Sequence, residues 1–177
     1  MNRLVPICVD LDGTLLKEDV TAKALKIYIG WSPLNIFNTL FWLMQGWACL
    51  KQKLAELVQL DPSSLKYNEK FLEFIEKKKK EGHKIFLATA CNQIYARKIA
   101  DYLGIFDGVF ASTDCVNLRA EAKAQTLTTI FGENGFIYAG NSEDDVYVWN
   151  KSAWCILVSP SKGALKKMRG RKYLLFD

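Results

Sequence analysis

Short apolar runs alternate with amphipathic segments along most of the chain. The runs that predict buried strands are residues 5–10, 84–88, 108–112, 135–140 and 154–158. The segments that predict helices are residues 68–80, 93–103, 121–131 and 142–150, and glycines follow the first three of them where C-terminal caps belong. This alternation predicts an α/β fold, with a Rossmann-like parallel sheet that carries helices on both faces.

Residues 17–67 do not follow the alternation. The segment from residue 27 to residue 50 holds no charged side chain, but Ser32, Pro33 and Gln45 interrupt it, which disfavours a membrane span. An apolar stripe at helical spacing predicts a helical insert instead. Its members are Ile36, Phe37, Leu40, Phe41, Met44 and Trp47. Two interpretations stay open: the stripe packs in the core of the insert, or it forms an amphipathic surface that contacts lipid or a partner.

The length of 177 residues fits one domain with an insert. We expect residues 1–16 and 68–160 to form the core and residues 17–67 to form a small helical cap after the first strand. Residues 161–177 are basic, and we expect a surface helix or a linker there.

Composition narrows the functional classes. Half of the residues are apolar and the net charge is +5, which modestly favours anionic ligands or surfaces. The chain has no signature of nucleic-acid binding. Its five cysteines include no CxxC pair, which predicts reduced thiols in a protein of cytoplasmic type. Residues 1–9 lack a basic start and a long apolar core, so we expect no secretory signal peptide.

Polar residues follow the predicted strands where a parallel sheet binds ligands. Asp10, Thr89 and Asn141 lie at or just past three strand ends, and Asp12 shares the orientation of Asp10 because side chains two apart in an extended segment point the same way. Two adjacent carboxylates need a compensating cation. Such a pair suits one nucleophile and one general acid/base, and therefore predicts an active site.

These motifs resemble those of the haloacid dehalogenase superfamily, most of whose members are phosphatases. "DLDGT", which contains Asp10 and Asp12, resembles the first motif of that family. Thr89 and Lys123 are similar to the second and third motifs, and "GNSEDD" (residues 140–145) is similar to the fourth. The insert lies where the family places its smaller cap. The whole chain is also similar to the module of this family that precedes membrane prenyltransferase domains in some bacterial proteins.

The resemblance implies a Mg²⁺-dependent phosphatase with an aspartyl-phosphate intermediate. Asp10 would be the nucleophile and Asp12 the general acid/base, while Thr89 and Lys123 would bind the phosphoryl oxygens. The implied metal ligands are Asp10, the backbone carbonyl of Asp12, Asn141 and Asp145. The family usually has aspartate where this chain has Asn141, so we expect weaker magnesium binding, with neighbouring Asp144 as a compensating carboxylate.

Three further expectations concern the reaction and its substrate. A small cap leaves the site open, which favours a large phosphorylated substrate such as a protein phosphotyrosine or a lipid-linked phosphate. The basic tail and the uncharged insert favour contact with anionic membranes, and a small free metabolite is the alternative substrate. Cys91 and Arg97 have the Cys-x5-Arg spacing of cysteine-dependent phosphatases, and a binding module without catalysis is the third alternative.

Overall fold

The structure is a computed structural model that describes residues 4–176, and its core is a parallel six-stranded sheet. The strands are β1 (Ile7–Val9), β2 (Ile85–Asn92), β3 (Gly108–Ser112), β4 (Ile137–Gly140), β5 (Trp154–Val158) and β6 (Tyr173–Phe176). They lie in the order β3-β2-β1-β4-β5-β6. The strand order reverses direction at β1, and ligands of such sheets bind at the carboxyl ends beside this switch point.

Eight α-helices connect and cover the strands in the described part of the chain. They are α1 (Val20–Trp31), α2 (Asn35–Met44), α3 (Trp47–Leu57), α4 (Glu69–Lys80), α5 (Gln93–Leu103), α6 (Glu121–Phe131), α7 (Asp145–Trp149) and α8 (Lys162–Lys167). A 3-10 helix, Pro62–Ser64, precedes α4. The predicted class, a Rossmann-like parallel sheet with helices, is confirmed.

Side chains of β1 alternate between the two faces of the sheet. Ile7 and Val9 join the apolar core beneath α4, α5 and the insert, whereas Cys8 joins the core on the opposite face. The second core includes Leu127 of α6 and Trp149 of α7. Because successive strand residues point to opposite faces, Asp10 follows on the side of α6.

The insert consists of α1, α2 and α3, and it packs against β2 and α5. The buried hydroxyl of Tyr95 donates to the carbonyls of Leu54 and Val58, at 2.9 and 2.8 Å. The amide of Asn92 donates to the side chain of Gln52 at 2.8 Å. These bonds hold the end of α3 against the strand that carries Thr89. The boundary of the insert as a separate cap stays a prediction.

Two segments differ in part from what the sequence indicates. The tail, expected as a helix or a linker, begins with the helix α8 and then adds the strand β6, whose residues 173–176 pair with β5. The six members of the apolar stripe are all exposed, so the stripe is not the core of the insert. On α2 only Thr39 is buried, and partly buried Trp42 packs against Tyr28 of α1 with ring centroids 5.2 Å apart.

Candidate active site

Asp10 and Asp12 lie directly after β1, at the carboxyl edge of the sheet. Both line a cavity of about 450 Å³ between the sheet and the insert. The backbone N–H of Val20, the first residue of α1, donates to Asp12 Oδ1 at 2.8 Å. The start of the insert therefore orients the second carboxylate of the motif.

A buried network of hydrogen bonds joins Asp10 to α6, to β4 and to the start of α7. Lys123 Nζ, on α6, donates to Asp10 Oδ1 and to the hydroxyl of Tyr138, both at 2.8 Å. Tyr138 in turn donates to Asp145 Oδ1 at 2.7 Å, and Lys123 Nζ lies 3.5 Å from the same oxygen. One ammonium group thus stands between the carboxylates of Asp10 and Asp145, and the chain itself supplies a cation for the first carboxylate of the motif.

The electrostatics separate the two carboxylates of the first motif. Burial, opposed by Lys123 and assisted by the charge of Asp145, raises the pKa of Asp10 to about 6. Burial, assisted by the charge of Asp19, raises the pKa of Asp12 to about 8. Near neutral pH, Asp10 is therefore mainly ionised while Asp12 holds its proton, which is the distribution that a nucleophile and a general acid need.

Asn141 is in close contact with Gly13 of the first motif. Gly13 has φ +74°, and a Cβ there would lie 2.1 Å from Asn141 Nδ2, so glycine is required twice over. The hydroxyl of Thr14 donates to Asn141 Oδ1 at 3.4 Å. This contact keeps the Asn141 side chain at the cavity, which it lines together with Asp10.

Asp145 differs from the other expected metal ligands in its contacts. Its Oδ2 accepts hydrogen bonds from the backbone N–H groups of Asn141 and Ser142 and from the Ser142 hydroxyl, at 3.0, 2.9 and 2.8 Å. Its Oδ1 accepts from Tyr138. Because both oxygens already have protein donors, these contacts favour a role in holding Lys123, and its role as a metal ligand stays a prediction.

Thr89 lies in β2 and lines the same cavity. Its hydroxyl accepts from the backbone N–H of Cys91 at 3.0 Å, and the side chain is buried. The structure therefore brings all six expected site residues to one place: Asp10, Asp12, Thr89, Lys123, Asn141 and Asp145.

Three side chains of the site were not predicted from the sequence. Lys51 of α3 lines the cavity and donates to Ala90 O and Asn117 Oδ1, at 2.6 and 3.1 Å. It is the first charged residue after the uncharged segment, and that position was the available signal. Tyr138, a phenol within an apolar strand, needed a buried partner, which was a second signal. Arg119 lines the cavity rim, where it pairs with Asp144.

The pair Cys91 and Arg97 does not form a second site. Cys91 is buried, and burial raises the pKa of its thiol well above the usual value. Arg97 is exposed and lines a different cavity, beside Gln93 and Phe110. A cysteine-dependent phosphatase needs a thiolate and a guanidinium around one anion, so the geometry does not support that alternative.

The oxygen donors around Asp10 fit a hard divalent cation. Within residues 4–176, no group of three His, Cys, Asp or Glu side chains is arranged to hold a metal ion. A magnesium ion here would instead depend on one carboxylate, a backbone carbonyl and the amide oxygen of Asn141, with water completing its shell. Asp144, the carboxylate expected to compensate for the neutral Asn141, forms an ion pair with Arg119 at the rim of the cavity.

Across the described residues, no helix has both the length and the apolar character that a bilayer crossing requires.

The sequence of the chain is similar to a known protein family and to one curated protein. A family model for haloacid dehalogenase-like hydrolases matches residues 38–147. An uncharacterized protein of Sinorhizobium fredii, y4nM, is 34% identical over 168 residues, which cover 95% of this chain and 32% of that protein. The chain therefore spans about a third of the length of this curated relative.

Solved structures share the fold at low sequence identity. A protein of unknown function from Bordetella pertussis Tohama I superimposes with a TM-score of 0.74 at 15% identity, over 99% of both chains. A substrate-bound phosphoserine phosphatase superimposes with a TM-score of 0.68 at 16% identity, over 99% of this chain and 94% of the other. The likeness in both cases is one of fold.

Proposed function

The chain belongs to the haloacid dehalogenase-like hydrolases, and within that family we propose that it is a Mg²⁺-dependent phosphatase that uses Asp10 as its nucleophile. The observation that carries the proposal is the buried pair of Asp10 and Lys123, joined at 2.8 Å, with Asp12 lining the same cavity. The phosphoserine phosphatase fold adds support at the level of architecture.

The first half-reaction follows from the positions of these groups. Asp10 attacks the phosphorus atom, a new bond forms between its carboxylate oxygen and phosphorus, and the phosphorus–oxygen bond to the leaving alcohol breaks. Asp12 gives its proton to the leaving oxygen, which departs as a neutral alcohol. Lys123 and Thr89 bind the phosphoryl oxygens, and Lys123 balances their charge.

The second half-reaction regenerates the enzyme. Asp12, now a carboxylate, takes a proton from water, and the water oxygen bonds to phosphorus as the bond to Asp10 breaks. Inorganic phosphate leaves and Asp12 holds a proton again. Tyr138 and Asp145 keep Lys123 in place throughout, because both contact its ammonium group.

Magnesium fits the proposal through the donors named above, namely Asp10, the carbonyl of Asp12 and Asn141. When bound, the ion would neutralise charge on the phosphoryl group and on Asp10. One carboxylate fewer than is usual in the family should weaken this binding. Asp145 is the remaining candidate for the metal shell.

The insert side of the cavity favours a large or aryl alcohol as the leaving group. Leu25, Trp47 and Leu50 of the insert line the cavity together with the carboxylates. These side chains offer an apolar wall to a phenyl ring or a lipid chain. Phosphotyrosine peptides and lipid-linked phosphates are accordingly the proposed substrate classes, ahead of sugar phosphates.

A panel of phosphomonoesters tests the proposal, with each compound assayed with magnesium and with chelator. We expect magnesium-dependent release of phosphate that Asp10→Asn abolishes and that Cys91→Ser, the matched control, largely preserves. Chelator-resistant activity that needs Cys91 would contradict the proposal. Binding of phosphate without turnover of any ester would instead favour the second candidate, a binding module, for which the neutral Asn141 is the motivating observation.

A further inference from the structure

Helix α2 presents an apolar surface that nothing in residues 4–176 covers. The α2 face comprises exposed side chains of α2 and of the residues that flank it: Trp31, Leu34, Ile36, Phe37, Leu40, Phe41, Leu43, Met44 and Trp47. Met44 is 87% exposed, Leu34 71% and Phe37 67%. Soluble monomers rarely expose a contiguous apolar patch of this kind unless it binds something.

The polar groups of α2 all point away from this face. Asn35 donates to the carbonyl of Tyr28 at 2.7 Å, and Asn38 donates to the Tyr28 hydroxyl at 3.2 Å. The hydroxyl of Thr39 donates to Asn35 O at 2.9 Å. A protein partner is normally bound through about one hydrogen bond per 100–200 Å² of interface. The polar side chains of α2 bond within the insert, so the α2 face offers few groups for directional hydrogen bonds. Such a face suits lipid better than a protein partner.

Aromatic residues around the face match a lipid headgroup region, and exposed lysines add to the match. Of the four lysines from Val20 to Ala55, Lys51 lies in the cavity, Lys23 pairs with Glu18 and Lys53 pairs with Glu56, while Lys26 is exposed and forms no ion pair in the described residues. Trp31 ends α1 and Trp47 begins α3, so two exposed tryptophans flank α2. Tryptophan prefers the interface between hydrocarbon and headgroups, and lysine is attracted to anionic lipid. We propose that the α2 face docks onto the surface of an anionic lipid bilayer, with α2 in the interfacial plane.

The cavity opens beside this face. Trp47 belongs to the α2 face and also lines the cavity that holds Asp10 and Asp12. Docking would therefore bring the cavity close to the membrane surface. The consequence for the substrate, that lipid-borne phosphates reach the site laterally, rests on the proposed function, whereas docking itself does not.

Co-sedimentation with vesicles tests docking independently of catalysis. One set of vesicles is phosphatidylcholine alone, and the other contains about one quarter phosphatidylserine, because anionic lipid attracts lysine at the surface. We expect the chain to bind the second set more strongly and at low salt most of all. The variant Phe37→Ser/Phe41→Ser should lose about tenfold or more of this binding, because each phenylalanine loses its burial in lipid.

A matched control separates docking from general stickiness. Val116→Ser/Ile130→Ser removes two side chains that are about half exposed on the core, and it should bind vesicles like the parent chain. Brominated lipid should quench tryptophan fluorescence in the parent, and quenching should fall in Trp31→Phe/Trp47→Phe.

Three outcomes would overturn the proposal. The first is no binding to either vesicle at low salt, and the second is binding that Phe37→Ser/Phe41→Ser leaves unchanged. The third is a dimer in light scattering that this variant converts to monomer, without vesicle binding, which would assign the α2 face to a second copy of the chain.

Discussion

Removal of the Tyr138 hydroxyl tests how much the buried hydrogen-bond network around Lys123 stabilises the fold. The hydroxyl accepts from Lys123 at 2.8 Å and donates to Asp145 at 2.7 Å, and all three side chains are buried. Tyr138→Phe keeps the ring and its packing on Trp149. It leaves an ammonium and a carboxylate each short of one hydrogen bond.

The expected cost follows from the charge of both partners. A hydrogen bond to a charged group contributes about 1.5–3 kcal/mol to stability. Lys123 Nζ already lies 3.5 Å from Asp145 Oδ1, so a small shift can close that pair and offset part of the loss. We therefore expect Tyr138→Phe to lower the free energy of unfolding by about 2–4 kcal/mol. For a chain of this length, that corresponds to a fall in Tm of roughly 6–12 °C.

Thermal unfolding followed by circular dichroism measures the effect, with Tyr147→Phe as the matched control. Tyr147 is exposed on α7, and its hydroxyl should contribute no more than about 0.5 kcal/mol. Equal Tm values for Tyr138→Phe and the parent would refute the reasoning, because a buried phenol that bridges two charges cannot be removed without cost. Equal losses in both variants would refute it as well.

Two further predictions concern the carboxylates and the metal. Asn141→Asp should lower the magnesium concentration for half-maximal activity, because it restores an anionic ligand. The control Asn150→Asp adds the same charge at an exposed site and should leave that concentration unchanged. An unchanged magnesium titration for Asn141→Asp would remove residue 141 from the metal shell. Burial raises the pKa of Asp10 and Asp12 to about 6 and about 8, so the folded chain holds protons that the unfolded chain releases above about pH 4. In chelator, Tm should therefore fall as the pH rises from about 4 to about 8, and Asp12→Asn should flatten the upper part of that curve. A Tm that rises across this range would contradict the raised pKa values of the two carboxylates.

Local signals explain why several elements were predictable. Helices α5 and α6 have the predicted bounds, because Gly104 and Gly132 end them at positive φ. Strands β3 and β5 also match, since short apolar runs between turns leave few alternatives. Asp10, Thr89 and Asn141 could be brought together from the sequence because parallel strands present their carboxyl ends at one edge, whereas Lys123 and Asp145 were implied only by the family resemblance.

The missed features depend on contacts between distant segments. The strand β6 follows a basic stretch and exists because β5 offers it an edge, which no local pattern shows. Helix α2 is apolar on most sides, so periodicity alone could not distinguish a buried helix from an exposed one. Lys51 enters the cavity only because α3 folds back over β2, and Lys123 of α6 reaches Asp10 from 113 residues further along the chain.

The central claim is that Asp10 carries the phosphoryl group during turnover. The most direct measurement is to quench the chain during hydrolysis of an aryl phosphate, reduce it with borohydride and sequence its peptides by mass spectrometry. Borohydride converts an aspartyl phosphate to homoserine, and the account predicts homoserine at position 10 in the parent chain and none in Asp12→Asn without substrate. Active enzyme that shows no modification at position 10, or a phosphoryl group trapped on Cys91, would contradict the account.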